Sequence, residues 1–284
     1  MEKQSVSKVM LTQKEAEEYC AYKRQKKISE IMAALRRTGS ELTANDSAVR
    51  LGEQALRLRQ AAVKMSPREL LARGEVIRRH GVRIVCIGGG DGETFASVKA
   101  YEAKKAVKEG AKEITLRITP SLIVNGRYTE LRKEIKAVKR AVKRAVLKVR
   151  VEKVYPMATL ERLTHICCEV GVSYFSVPYF NGCERLQTLC KGGCLLEVSG
   201  IETLPLFKEM AGAGMGRMLI KRAWELYSEW LKEVEKITVE REENTPLPIK
   251  EEKEEEKKEP SPALLLPTTK EENCLIKIEE VKCS

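Results

Sequence analysis

Two hydrophobic periods alternate along the chain. Short apolar runs rich in Val, Ile and Leu predict strands: "AAVKMSP" (61–67), "VRIVCIGGG" (82–90), "EITLRIT" (113–119), "VLKVRVEKV" (146–154), "VSYFSV" (172–177), "CLLEVSG" (194–200) and "GRMLI" (216–220). Between them, apolar residues recur every three or four positions, as in "ETFASVKAYEAKKAVKEG", "RYTELRKEIKAVKRAVKRA", 159–170 ended by Gly171, and 223–237. A helix over 10–37, with Thr12 as N-cap, precedes them. It breaks at "TGSELTANDS", and the next helix starts on Asp46 or Ser47.

Strands alternating with helices imply a parallel sheet with helical crossovers. Seven strands are readable, an eighth falls in 31–43, and the body spans about 230 residues, which suits an α/β (β/α)8 TIM-type barrel. A doubly wound open sheet is the alternative. Three parts follow: residues 1–44, an N-terminal helical extension that takes in any degenerate first strand; 45–237, the barrel; and 238–284, a charged tail. The tail is Pro-broken and expected to be disordered, with a short apolar segment at Leu275, Ile276, Ile278 and Val281.

Composition narrows the function classes. At 43% hydrophobic but 5% aromatic, the core must be mostly aliphatic. No apolar run approaches the ~18 residues of a membrane span, and the charged start is not a secretory signal, so a cytoplasmic location with no membrane partner is expected. Nine cysteines then read as reduced thiols. Cys183, Cys190 and Cys194, with Cys167, Cys168 and His165 upstream, lack the paired Cys-x2-Cys spacing of structural zinc, so no metal is expected. Residues 240–284 hold thirteen acidic against eight basic side chains, leaving the rest at net +16. Such a body attracts anions.

Two segments look functional but have plainer explanations. "IGGGDGE" (87–93) has neither dinucleotide nor P-loop spacing and reads as a tight turn. The helix 131–146 presents Arg132, Lys133, Lys136, Lys139, Arg140, Lys143 and Arg144 opposite an apolar stripe of Leu131, Ile135, Val138, Val142 and Ala145. Without interleaved aromatics it reads as a solvated outer face, so nucleic acid is a disfavoured partner.

Strand parity is more informative. If the aliphatic positions pack outward on helices, the inward set is Lys64 and Ser66; Thr115, Arg117 and Thr119; Lys148, Arg150 and Glu152; Tyr174 and Ser176; Glu197 and Ser199. Buried charge must be paired or solvated. The lumen is therefore either an anion pocket or an internal ion-pair network.

"SVKAYEAKKAVKEGAKEITLRIT", "YTELRKEIKAVKRA", "LKVRVEK" and "EVGVSYFSV" together resemble the deoxyribose-phosphate aldolase family, over about residues 60–226. The resemblance implies a class I aldolase barrel that needs no cofactor and cleaves 2-deoxyribose 5-phosphate through a lysine imine. At the matching positions, however, the fourth-strand acid is Thr115, the imine-forming lysine is Ser176 and the second lysine is Glu197. Ser199 and Gly200 are what remains of a glycine-rich phosphate loop, while Lys148 and Glu152 match the fifth strand. Serine forms no imine, so loss of the covalent mechanism is expected.

The expectation is a degenerate aldolase barrel acting as a binding or assembly protein. Its pocket would hold a phosphorylated small molecule or other anion on Lys64, Arg117, Lys148, Arg150 and Glu152, beside Ser199 and Gly200. The C-terminal tail or the N-terminal helix would engage a protein partner. The alternative is an active lyase with Lys64 or Lys148 as surrogate nucleophile, its pKa lowered by Arg117 and Arg150.

Overall fold

The computed structural model describes residues 13–190 and 193–237. The chain divides into two units, 1–245 and 246–284, and all described residues lie in the first. The proposed N-cap Thr12 and the tail 238–284 fall outside the described residues.

Helix α1 (Gln13–Leu35) leads into β1 (Thr38–Glu41), α2 (Ala48–Arg57), β2 (Ala62–Met65), α3 (Pro67–Arg79), β3 (Ile84–Gly88) and α4 (Ala96–Lys108). There follow β4 (Glu113–Arg117), α5 (Pro120–Val124), α6 (Tyr128–Val142), β5 (Val146–Arg150), α7 (Met157–Val170) and β6 (Tyr174–Pro178). The last elements are α8 (Glu184–Leu189), β7 (Leu195–Ile201), α9 (Leu204–Gly212), β8 (Arg217–Ile220) and α10 (Ala223–Glu235). The eight strands are all parallel and close in sequence order, β1 pairing with both β2 and β8. The fold is a (β/α)8 barrel, and the open-sheet alternative is excluded.

The eighth strand is the first in the chain, within the 31–43 segment. Its sequence, Thr-Gly-Ser-Glu, has no aliphatic residue, and its ladder bonds rather than its side chains make it a strand. Pro120 ends β4 and also opens α5 as a first-turn proline, a short helix the sequence reading did not separate. Ser47 caps α2, its hydroxyl accepting from the Arg50 N–H. None of the described helices is long and apolar enough to cross a membrane.

Outward strand positions form a continuous aliphatic layer against the helices: Val63 and Met65, Ile84 and Cys86, Ile114 and Leu116, Leu147 and Val149, Phe175 and Val177, Leu196 and Val198, Met218 and Ile220. Burying such side chains contributes roughly 1.5–3 kcal/mol each, so the barrel is held from outside. On α6, Leu131, Ile135, Val138 and Val142 face this layer, with Lys133, Lys136 and Arg140 exposed on the opposite side, while Lys143 and Arg144, also exposed, lie past the helix end. Helices α4 and α6 are joined by a buried pair. Lys99 Nζ donates to Glu134 Oε1 (2.9 Å), Thr119 Oγ1 (2.8 Å) and the Gly92 carbonyl (2.6 Å). The last bond ties down "GGGDG", whose Gly89, Gly90 and Gly92 take positive φ and whose Gly89 N–H donates to Glu102. The glycines serve the turn.

Candidate functional site in the barrel lumen

Most inward positions named from the sequence line the lumen, at two depths; Ser66 instead caps α3, its hydroxyl accepting from the Glu69 N–H, and Thr119 is bonded to Lys99 and Glu134 between α4 and α6. The deeper tier is a closed network of charges. Lys148 Nζ lies 2.6 Å from Glu197 Oε2 and 2.9 Å from Glu113 Oε2, all three side chains at most 3% exposed. Ser176 Oγ donates to the other Glu197 oxygen at 2.9 Å. Arg217 reaches Glu113 at 3.5 Å and donates to the Tyr174 hydroxyl at 3.2 Å, and both Lys148 and Arg217 stand over the Tyr174 ring. Burial pushes the Glu197 carboxyl up. The Lys148 charge and hydrogen bond, with Arg217 and Ser176, more than offset it and hold the group below the usual carboxylate range.

Glu113 and Arg217 were missed in the sequence reading. Parity would have found both, because Glu113 lies two residues before Thr115 and Arg217 two before Leu219. The remaining void here, bordered by Gly39, Lys64, Val85, Lys148, Glu197 and Arg217, measures about 10 Å³. That is roughly the minimum for one water molecule and far too small for a sugar phosphate. Thr115 Oγ1 is buried without a hydrogen-bond partner.

Arg150 follows Lys148 by two residues, one inward position nearer the C-terminal strand ends, where barrel sites are built. Its Nε donates to Glu152 Oε1 at 3.0 Å, and Arg117 Nε donates to the same oxygen at 2.6 Å. The Arg117 Nη1 is taken by the Gly90 carbonyl. Arg150 Nη1 has no hydrogen-bond partner. Lys64 feels the Arg150 charge, and its one ion pair among the described residues, with Glu41, spans 3.8 Å. Burial, and next the Arg150 charge, bring the Lys64 amine down from 10.5 to about 8. Ser199 Oγ donates to the Val177 carbonyl, and Gly200 forms the β7 bulge at φ +84°.

The predicted ligand set therefore divides. Arg150 keeps an unpartnered N–H at the upper level, with Glu152 and Arg117 paired beside it, and the buried Lys64 lies between the levels, bordering the small void. Lys148 does not belong with them; it is fully engaged by two carboxylates below. Among the described residues no group of three or more His, Cys, Asp or Glu side chains is placed to hold a metal ion.

No family model matches the chain. It is 27% identical over 194 residues to a deoxyribose-phosphate aldolase of Metamycoplasma hominis, covering 64% of this chain and 89% of that protein. With the Staphylococcus carnosus deoxyribose-phosphate aldolase it shares 33% identity over 147 residues, 48% of this chain and 67% of the relative. Among solved structures, the tetrameric deoxyribose phosphate aldolase of Aeropyrum pernix superposes with a TM-score of 0.64 at 19% identity, covering 74% of this chain and 96% of that one. The aldolase QR15 does so at 0.61 and 24% identity, over 70% of this chain and 95% of its own. The closed barrel, its strand order and these shared stretches place the chain in the deoxyribose-phosphate aldolase family.

Proposed function

We propose that this aldolase-like barrel has lost the family's imine chemistry and serves as a binding protein for a small anion, held between Lys64 and Arg150 in the lumen. One observation carries the reading. Where an imine-forming lysine would stand, Ser176 is sealed onto Glu197, and the nearby Lys148 is locked between Glu197 and Glu113. Attack on a carbonyl needs a free amine lone pair. Freeing Lys148 would leave two buried carboxylates short of their shared cation, at a cost of about 3–5 kcal/mol. The anion assignment is supported by Arg150 Nη1, a buried donor without a partner, near a lysine whose one ion pair among the described residues spans 3.8 Å.

A second reading has its own support. An amine near pKa 8 is the kind that forms imines, and Lys64 has one. Borohydride trapping with 2-deoxyribose 5-phosphate and with acetaldehyde, followed by peptide mapping, separates the two. No lysine adduct, together with millimolar phosphate raising the unfolding temperature of the wild type but not of Lys64→Met, supports the binding reading. An adduct on Lys64 would replace it with a relocated aldolase.

A further inference from the structure

Three thiols meet at the opposite end of the barrel, away from the mouth. Cys168, in the last turn of α7, has its Sγ 3.4 Å from that of Cys194, which immediately precedes β7. Cys194 Sγ in turn lies 3.6 Å from Cys190 Sγ, at the end of α8. Of the other groups named from the sequence, Cys167 is buried within electrostatic reach of both Cys168 and Cys194, Cys183 sits apart against the Met210 sulfur, and His165 is exposed on α7. The approach is built into the backbone. A Cβ placed on Gly193 would stand 2.8 Å from Cys168 Cβ and 3.0 Å from its Cα. Only glycine lets the strand entry pass so near α7, and this brings the neighbouring Cys194 sulfur onto Cys168.

We propose that Cys168 and Cys194 are a modification site, a thiol pair that closes to an intramolecular disulfide on reaction with the disulfide of a low-molecular-weight thiol. Cys168 is half-buried and Cys194 buried, which sets the order of events. The Cys168 thiolate attacks the reagent disulfide, forms a mixed disulfide and releases one thiolate. The Cys194 thiolate then attacks the Cys168 sulfur and expels the second. Two protein thiols lose two electrons and two protons, and the reagent leaves as two thiols. The bridge would join two elements 26 residues apart, with β6 between them. Burial, followed by the hydrogen bond to Cys194, raises the Cys168 thiol to about 11, so the first step is slow near neutrality. It should quicken roughly tenfold per pH unit until the thiol titrates. The pair thus records sustained oxidation rather than a brief pulse.

The test treats the full folded chain with oxidised glutathione at pH 7, 8 and 9, quenches with a thiol alkylator and maps the peptides by mass. The expected product joins the Cys168 and Cys194 peptides with a loss of about 2 Da, at a rate that climbs with pH. In Cys194→Ser the reaction should stop at a glutathione adduct of about 305 Da on Cys168. If that variant fails to fold, the wild-type map decides alone. A stable wild-type adduct on Cys168 with Cys194 still alkylatable, a bridge between other cysteines only, or no reaction at pH 9 over a day would each overturn the proposal.

Discussion

Replacing Lys64 by methionine should make the protein more stable at neutral pH, although it removes a charged side chain that touches a carboxylate. The Lys64 amine falls from 10.5 to about 8 in the folded protein. At about 1.4 kcal/mol per pH unit, that is a penalty of roughly 3 kcal/mol for carrying the charge into the barrel. That shift already includes the attraction of Glu41, whose side chain is 30% exposed and 3.8 Å away. The gain is therefore about 3 kcal/mol, or about 6–12 °C in a domain of this size. The sign of the pH dependence follows from proton counts. Between pH 8 and 10.5 the unfolded chain holds a proton on Lys64 that the folded chain has released, so wild-type stability gains from this group as pH rises through that window. Below pH 8 the penalty is fully expressed. The advantage of Lys64→Met should therefore be complete at pH 7 and vanish near pH 10.5. Urea unfolding of both proteins at pH 7, 8.5 and 10 measures it, and the raised thiols cancel because both proteins carry them. A variant less stable than wild type at pH 7, or a gap that ignores pH, would refute the reasoning.

The deeper tier should respond in the opposite direction. Lys148→Met leaves Glu113 and Glu197 sharing Arg217 and should cost about 3–5 kcal/mol in thermal or urea unfolding. Thr115→Val should be neutral or stabilising by up to about 1 kcal/mol in the same assay, because the buried hydroxyl it removes has no hydrogen-bond partner. Placing a lysine on strand six should not produce imine formation. In Ser176→Lys the new amine would lie against the Glu197 carboxylate that Ser176 now meets at 2.9 Å, which would hold it protonated. Borohydride trapping with acetaldehyde should leave position 176 unlabelled.

The strands were legible wherever their outward face is aliphatic. β4, with Ile114 and Leu116, and β5, with Leu147 and Val149, are examples. β1 was legible only as a segment, 31–43, because a strand of Thr, Gly, Ser and Glu between two partners is specified by the closure of the barrel, which no local window contains. Inward parity was legible for the same reason as the outward face. Pairing across the lumen was not: Arg217 reaches Glu113 over a separation of 104 residues, and nothing near either residue announces the other. The choice between an anion pocket and an ion-pair network also depended on depth. Lys148 and Arg150 look equivalent in the string "LKVRVEK". One faces two carboxylates, and the other keeps a free nitrogen two residues nearer the strand ends.

The charge balance of the two tiers accounts for that division. In the sealed tier, the cations Lys148 and Arg217 face the anions Glu113 and Glu197, a neutral set, as burial demands when each uncompensated ion costs several kcal/mol. Glu197 is one side of this closed set: Lys148 pairs with one of its oxygens, and the neighbouring Ser176 satisfies the other. Above this level the cations Lys64, Arg117 and Arg150 meet the carboxylates Glu41 and Glu152, which leaves one positive charge in excess. Glu152 accepts from both arginines on one oxygen and makes no ion pair with Lys64 among the described residues. The excess thus falls on the lysine whose amine is depressed and on the arginine with a spare N–H. A bound anion would neutralise the tier, satisfy that N–H and raise the Lys64 amine toward its ordinary value. Anion affinity and the Lys64 charge are therefore linked, each strengthening the other as pH falls below about 8.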